Sequence, residues 1–329
     1  MRAMVIDRQG PSSVFHEAER PCPQTRPGHV LIRVRASSVN PVDYKIRSGM
    51  PIAPDFPAVL HGDVAGEVVE VGEGVSDFAV GDAVYGCAGG VSGTQGALAE
   101  YMLADARLLA PKPSNLSMEQ AAALPLVGIT AWEGLERTRV IAGANVLVHG
   151  GTGGVGHMAL QLARTLGATI TTTVSTREKT ELAESLGAHN VVLYPETSVE
   201  DYVSSLSVNG EGFDFVFDTV GGENLERSFA AVRRGGWVSS ISTRRQYDLS
   251  IMHAKGLTLH VVFMLIPLLY DEDREKHGRI LRSLTQLVEQ GQVRPLLDGT
   301  VFDFTEVGQA HDYLQAGKAK GKVVLRGFS

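Results

Sequence analysis

The stretch Val146–Ala168, VLVHGGTGGVGHMALQLARTLGA, decides the fold, because it runs strand, glycine turn and helix in immediate succession. Val146, Leu147 and Val148 read as a short buried strand, and Val155, Ala159, Leu162 and Leu166 fall on one face of the helix that follows. Between them, Gly151, Gly153 and Gly156 fit G-x-G-x-x-G. In a dinucleotide site Gly151 is expected to permit the tight turn and Gly153 to let the backbone approach a pyrophosphate. Gly156 is expected to allow close helix–strand packing. The helix then offers unpaired N–H groups and its positive dipole end to the phosphates. The glycines alone would be weak evidence; the flanking strand and helix are the context that the motif requires.

Downstream, strand-like runs alternate with helical ones. TITTTV (169–174), NVVLY (190–194), FDFVFD (213–218), GWVSSI (236–241) and LTLHVVFM (257–264) follow the first strand, giving six. That count and alternation predict an α/β domain, a six-stranded doubly wound parallel sheet of Rossmann type. An NAD site places an acid at the end of the second strand to bind the ribose hydroxyl. Here that strand ends Ser175-Thr176-Arg177-Glu178-Lys179, two hydroxyls and two cations around one acid. Ser175, Thr176, Arg177 and Lys179 suit a 2′-phosphate, so NADPH is the expected cofactor. The plainer alternative is a helix capped by Thr176 with solvated charges behind it.

The first 120 residues differ in character. Short extended runs (MRAMVI, HVLIRVRA, AGEVVEVG, DAVYGC, ALAEYML) are separated by glycine- and proline-rich turns, with no helical period before about Met118. They predict a compact β-barrel-like domain. After about Leu265 the alternating pattern stops, and this last segment is expected to return to the first domain. The expected division is therefore 1–120 plus 266–329 for the β domain and 121–265 for the inserted Rossmann domain.

The 43% hydrophobic and 20% charged content is that of an ordinary globular protein. A net charge of −7 argues against nucleic acid or an anionic membrane as partner. Two cysteines make no disulfide framework, no 18-residue apolar run occurs, and MRAMVIDRQG lacks a signal-peptide core. A cytoplasmic location is the default expectation.

With these pieces in place, the chain resembles the zinc-free quinone oxidoreductases of the medium-chain dehydrogenase/reductase superfamily, the group that includes zeta-crystallin. The markers are SSVNPVDYKIRSG (37–49), HGDVAGEVVEVGEGVSDFAVGDAVYG (61–86), GALAEY (96–101), AAALPLVGITAWEGL (121–135), HGGTGGVG (149–156) and GKAKGKVVL (317–325). The resemblance implies a GroES-like β-barrel domain carrying an inserted Rossmann domain. It places Asn40 and Thr130 beside the nicotinamide, and Gly153, Gly154 and Val155 at the pyrophosphate turn. Thr176 and Lys179 correspond to 2′-phosphate contacts and Tyr194 to a residue beside the adenosine. Ile241, Phe263 and Leu265 lie along the cofactor at the later strand ends, and Lys322 lies near it in the terminal motif. His149 and His311 read as packing or local hydrogen-bond residues. The resemblance also implies a homodimer joined through the edge of the Rossmann sheet, where LTLHVVFM is a long apolar strand.

Where zinc-dependent members of the superfamily have a metal-binding cysteine and histidine, this chain has Asn40 and Gly62, and the four-cysteine structural site is missing. No metal is therefore expected. Without a Lewis acid, hydride donation to a quinone or to the β-carbon of an enone is easier than alcohol oxidation. The motif N-P-V-D-x-K resembles that of plant alkenal and enone reductases. It makes Asn40, Tyr44 and Lys45 the candidate catalytic residues, with Lys45 binding the carbonyl oxygen, Tyr44 alongside and Asp43 fixing the loop; the alternative is a turn whose Asp43 caps a helix and whose Lys45 is solvated. Three functional readings stay open: an NADPH-dependent quinone or enone reductase, a reductase of enoyl thioesters or saturated carbonyls, and a low-turnover NADPH-binding protein.

Overall fold

The computed structural model describes residues 1–328 and divides them into two compact units. One holds residues 1–129 and the segment from Leu265 onward; the other holds residues 130–264. The chain opens with a two-stranded antiparallel pair, β1 (Arg2–Val5) and β2 (His16–Glu19). The long strand β3 (His29–Val39) turns Arg33 and Arg35 outward while Ile32, Val34 and Ala36 are buried, the period of two that a half-buried strand needs. Helix α1 (Pro41–Ser48) follows, then β4 (Asp63–Val71), β5 (Ala83–Cys87), β6 (Tyr101–Asp105) and β7 (Leu109–Pro111).

Two helical segments differ from the sequence pattern. Helix α1 stands where the sequence shows no helical period, because eight residues are too few to display one. The segment SMEQAAALPLVGITAWEGLER is two helices, α2 (Met118–Ala122) and α3 (Pro125–Arg137), because proline cannot continue a helix through its own position. Helix α2 packs on β3 and β4, within the unit that holds residues 1–129.

The second unit is built from β8 (Asn145–His149), α4 (Gly154–Thr165), β9 (Thr169–Val174), α5 (Glu178–Ser185) and β10 (Asn190–Leu193). It continues through α6 (Val199–Leu206), β11 (Phe213–Asp218), α7 (Asn224–Ala231), β12 (Val232–Ser240), α8 (Ser250–Lys255) and β13 (Thr258–Val261). The six strands are parallel in the order β10-β9-β8-β11-β12-β13. The order reverses beside β8, so the glycine turn leaves the sheet at its switch point, where ligands of such sheets bind. Leu147, Phe213, Val216, Phe229 and Val238 form its core beneath α6 and α7. The last strand is four residues long, shorter than the eight expected.

The returning segment comprises α9 (Ile266–Tyr270), α10 (Arg274–Glu289), β14 (Leu297–Asp303), α11 (Val307–Gln315) and β15 (Lys322–Arg326). Strand β15 pairs antiparallel with β3, placing Val323 opposite Val39, and completes a seven-stranded sheet ordered β14-β15-β3-β4-β5-β7, with β6 also on β3. Among the described residues no helix is long and apolar enough to cross a membrane.

Candidate functional site

In the second unit the glycine turn is tighter than its motif suggests. Gly150, at φ +70°, makes the left-handed turn expected of Gly151. Gly151 is instead pressed against the next strand: a Cβ there would lie 2.1 Å from Thr172 Oγ1. A Cβ on Gly156 would lie 2.1 Å from the Gly150 carbonyl oxygen, so the helix starts in contact with the turn. Gly153 caps α4 and is exposed, and His157 donates back to its carbonyl at 3.0 Å. The N–H groups of Gly154 and Val155 precede the first helical hydrogen bond, at the positive end of a twelve-residue helix.

After β9, Lys179 Nζ donates to Ser175 Oγ at 3.1 Å, which sets a cation and a hydroxyl side by side. Thr176 is exposed and does not cap α5, whose N-cap is Arg177. Arg177 pairs with Glu196 at 2.7 Å, both well exposed. Tyr194 is also exposed, and its N–H donates to the Val174 carbonyl, which puts it next to Ser175. Further along the same sheet edge, Asp218 accepts from Val220 N, Gly221 N, Asn224 Nδ2 and Ser240 Oγ. Ile241 N donates to the Asp218 carbonyl, and Phe263 lies under the Arg244 guanidinium at 5.6 Å. Thr130 is buried on α3, and His149 Nδ1 lies 3.3 Å from Thr173 Oγ1, a local bond.

In the first unit the expected residues converge on α1. Asn40 caps it, Pro41 occupies its first turn, and Asp43 Oδ2 accepts from Asn40 N at 2.6 Å. The Asn40 side chain is buried and engaged through both its amide oxygen and its amide nitrogen. Its Oδ1 accepts a short bond from Lys322 Nζ, and its Nδ2 donates to Asp63 Oδ2 at 2.7 Å. Lys322, 3% exposed, also donates to the Val39 carbonyl at 3.2 Å and lies 3.5 Å from Asp63. Asp63 further accepts from Ser38 Oγ at 2.7 Å and from Leu126 N at 2.8 Å. Burial lowers the Lys322 ammonium, while Asp63 and Asp43 oppose that shift. Burial also pushes the Asp43 carboxyl up to about 7. Asn40, expected beside the nicotinamide and as a catalytic residue, and Lys322, expected near the cofactor, thus hold each other in a buried cluster.

The other end of α1 is pinned by a second network. Arg47 Nη1 lies 3.4 Å from His311 Nδ1, His311 Nε2 lies 2.8 Å from His61 Nε2, and His61 Nδ1 lies 3.2 Å from Ser37 Oγ. Guanidinium cannot accept, so His311 Nδ1 is the acceptor and its proton sits on Nε2, facing His61. His61 then donates from Nδ1 to Ser37, which donates to the Asp63 carbonyl at 2.7 Å. Both imidazoles are neutral: burial lowers His61 to about 3 and His311 well below its usual value. Held at both ends, α1 presents Tyr44 on its flank, with its hydroxyl raised by burial, and an exposed Lys45. Among the described residues no hydrogen bond or ion pair engages the Lys45 ammonium. Leu265, also in this unit, is buried at the start of α9.

Residues 26–114 match the alcohol dehydrogenase GroES-like domain family and 186–325 the family described as zinc-binding dehydrogenase. The chain is 36% identical over 311 residues to 2-methylene-furan-3-one reductase of Solanum lycopersicum, covering 92% of this chain and 73% of that one. It is 35% identical over 334 residues to the chloroplastic NADPH-dependent alkenal/one oxidoreductase of Arabidopsis thaliana, covering 99% and 79%. The crystal structure of an alcohol dehydrogenase superfamily protein from Novosphingobium aromaticivorans superposes with a TM-score of 0.94 at 39% identity, each chain covered completely. The chain belongs to the quinone oxidoreductase group of the medium-chain dehydrogenase/reductase superfamily.

For a member of this superfamily, position 62 is informative. A Cβ on Gly62 would lie 2.8 Å from Cys87 Sγ and 3.0 Å from the Gly89 carbonyl, so no side chain fits there. Asp43 fixes the start of α1, as its place in the motif suggests, but sequence reading missed Asp63 and the His61–His311 pair as organisers of the site. The motif HGDVAG contains two of them, but only tertiary pairing shows what they hold.

Proposed function

We propose that this chain is an NADPH-dependent reductase that delivers hydride to the β-carbon of an α,β-unsaturated carbonyl, or to a quinone, without a metal. The names of its relatives and the exposed, unpaired Lys45 on a helix fixed at both ends support this reading. The turn needs glycine at positions 151 and 156, where added Cβ atoms would collide with Thr172 and the Gly150 carbonyl, and the free N–H groups at the start of α4 suit a dinucleotide's phosphates. Gly153, Gly154 and Val155 would take its pyrophosphate. Lys179, Ser175 and Thr176 would take a 2′-phosphate, and Tyr194 would flank the adenosine. Thr130, Ile241, Phe263 and Leu265 remain proposed contacts farther along the cofactor.

When bound, the nicotinamide supplies a hydride. As that hydride reaches the substrate's β-carbon, the alkene pair shifts and the carbonyl oxygen becomes an enolate oxygen. Lys45 would stabilise this charge, with the Tyr44 hydroxyl beside it, and solvent returns one proton to the α-carbon. Asn40, Asp63 and Lys322 are positioning residues, which fix the start of α1. Zinc independence is supported by Asn40 and by the lack of room for any side chain at position 62.

Lys45→Met keeps much of the side-chain stem and removes the charge. It should lower kcat for an enone by roughly 10²-fold while NADPH affinity stays unchanged. Wild-type turnover in the variant would remove the assignment. A homodimer through β13 and a cytoplasmic location belong to the same proposal. Imaging a tagged chain outside the cytoplasm would overturn the latter.

A further inference from the structure

The loop that leaves β12 carries two cations for which the function proposed above has no use. The Arg244 guanidinium lies 5.6 Å from the Phe263 ring centroid, and the Arg245 guanidinium lies 5.6 Å from that of Tyr247. Both arginines are exposed, and among the described residues neither has a carboxylate partner. The acid within the loop, Asp248, is taken by Ser250, accepting from its N at 2.9 Å and its Oγ at 2.6 Å. In a chain of net charge −7, two adjacent unpaired guanidiniums run against the overall balance.

The loop is held. Tyr247 Oη reaches the Ser242 carbonyl at 3.5 Å, and Gly221 comes so close that a Cβ there would lie 2.5 Å from Ser242. An aromatic face under each guanidinium restrains the planar fork that carboxylate and phosphate oxygens match. Phe263 follows β13 as Arg244 follows β12, so the pair stands at the edge of the parallel sheet where ligands bind.

Spacing along the sheet sets the pair apart from the residues proposed for the cofactor's phosphates. The 2′-phosphate residues follow β9, three strands from β12, or roughly 14 Å at the usual strand spacing. The glycine turn follows β8, two strands away, or roughly 10 Å.

We propose that Arg244 and Arg245 form an anion subsite, and that the acceptor reduced by this enzyme carries a carboxylate or phosphate group that docks there. The proposal rests on the reductase reading. Its test compares the wild type with an Arg244→Gln/Arg245→Gln variant on three acceptors: trans-3-benzoylacrylate, its methyl ester and crotonyl-coenzyme A. Loss of charged hydrogen bonds should lower kcat/KM for the charged acceptors by roughly 10- to 100-fold, mainly through KM. The ester should change by less than about twofold, since it cannot form the charged contact. A loss confined to benzoylacrylate identifies a carboxylated acceptor, and a loss confined to crotonyl-coenzyme A identifies a phosphate-bearing one. Equal losses for acid and ester, or a matching rise in the NADPH dissociation constant, would overturn the subsite. Calorimetry with the unreactive 3-benzoylpropionate separates this proposal from the reductase reading. Binding to wild type that the variant loses supports the subsite even if no acceptor is reduced. Binding that is absent, or equal in both, sinks it.

Discussion

At the scale of single residues, cofactor choice turns on Lys179. Its ammonium is already aligned by Ser175 at 3.1 Å, whereas Arg177 is engaged by Glu196. That exposed ion pair is worth little, so a phosphate could still recruit Arg177. Lys179→Ala should raise the NADPH dissociation constant by roughly 10- to 100-fold, the loss of one charged hydrogen bond, and leave NADH nearly unchanged. Fluorescence titration with both cofactors checks this, and equal losses would mean that Lys179 is a solvated surface lysine. Residue types were readable in the sequence to this depth: the hydroxyls and cations after the second strand are visible in Ser175–Lys179. Their partners were not. Nothing local says that Asn40 bonds Lys322, because 282 residues separate them and only the pairing of β15 with β3 joins them.

At the scale of elements, α1 shows what pins the site and why pH should matter. The Arg47–His311–His61–Ser37 chain requires both histidines to be neutral. An unfolded histidine titrates near 6.5, whereas burial holds His61 at about 3 and His311 well below its usual value. Between those limits the unfolded state binds more protons, so stability rises with pH. The contribution is complete above about pH 6.5 and is lost as pH falls toward 3. Each histidine should add a slope of about 1.4 kcal/mol per pH unit within that window. Urea unfolding at pH 7.5, 6 and 5 should show this slope, and a His61→Asn/His311→Gln variant should lose the pair's share. His61 stands at φ +72°, which asparagine tolerates better than most residues. An unchanged slope would mean that the pair is already charged in the fold; nitrogen-15 shifts of the two rings would show the same thing without any substitution. Elements were legible where they were long: TITTTV and FDFVFD are strands over the residues expected. They were illegible where short or interrupted, as with α1 and the helix that Pro125 divides.

At the scale of the whole molecule, the inserted Rossmann unit was legible because the strand-turn-helix of residues 146–168 begins at the sheet's switch point. Strand β13 lies at one edge of that sheet, and an unpaired edge invites another chain. Only four residues long, it offers a shorter seam than expected, and Arg137 already takes the Val261 carbonyl at 3.0 Å. A dimer through it should still sediment at twice the 35.2 kDa chain mass at micromolar concentration. A species at the chain mass would contradict the dimer. The central claim concerns where the hydride goes. Reduction of an enone with NADPH deuterated at the transferred position, followed by NMR of the product, should place one deuterium on the former β-carbon of a saturated ketone. Deuterium on the carbonyl carbon of an allylic alcohol, with the alkene intact, would contradict the account.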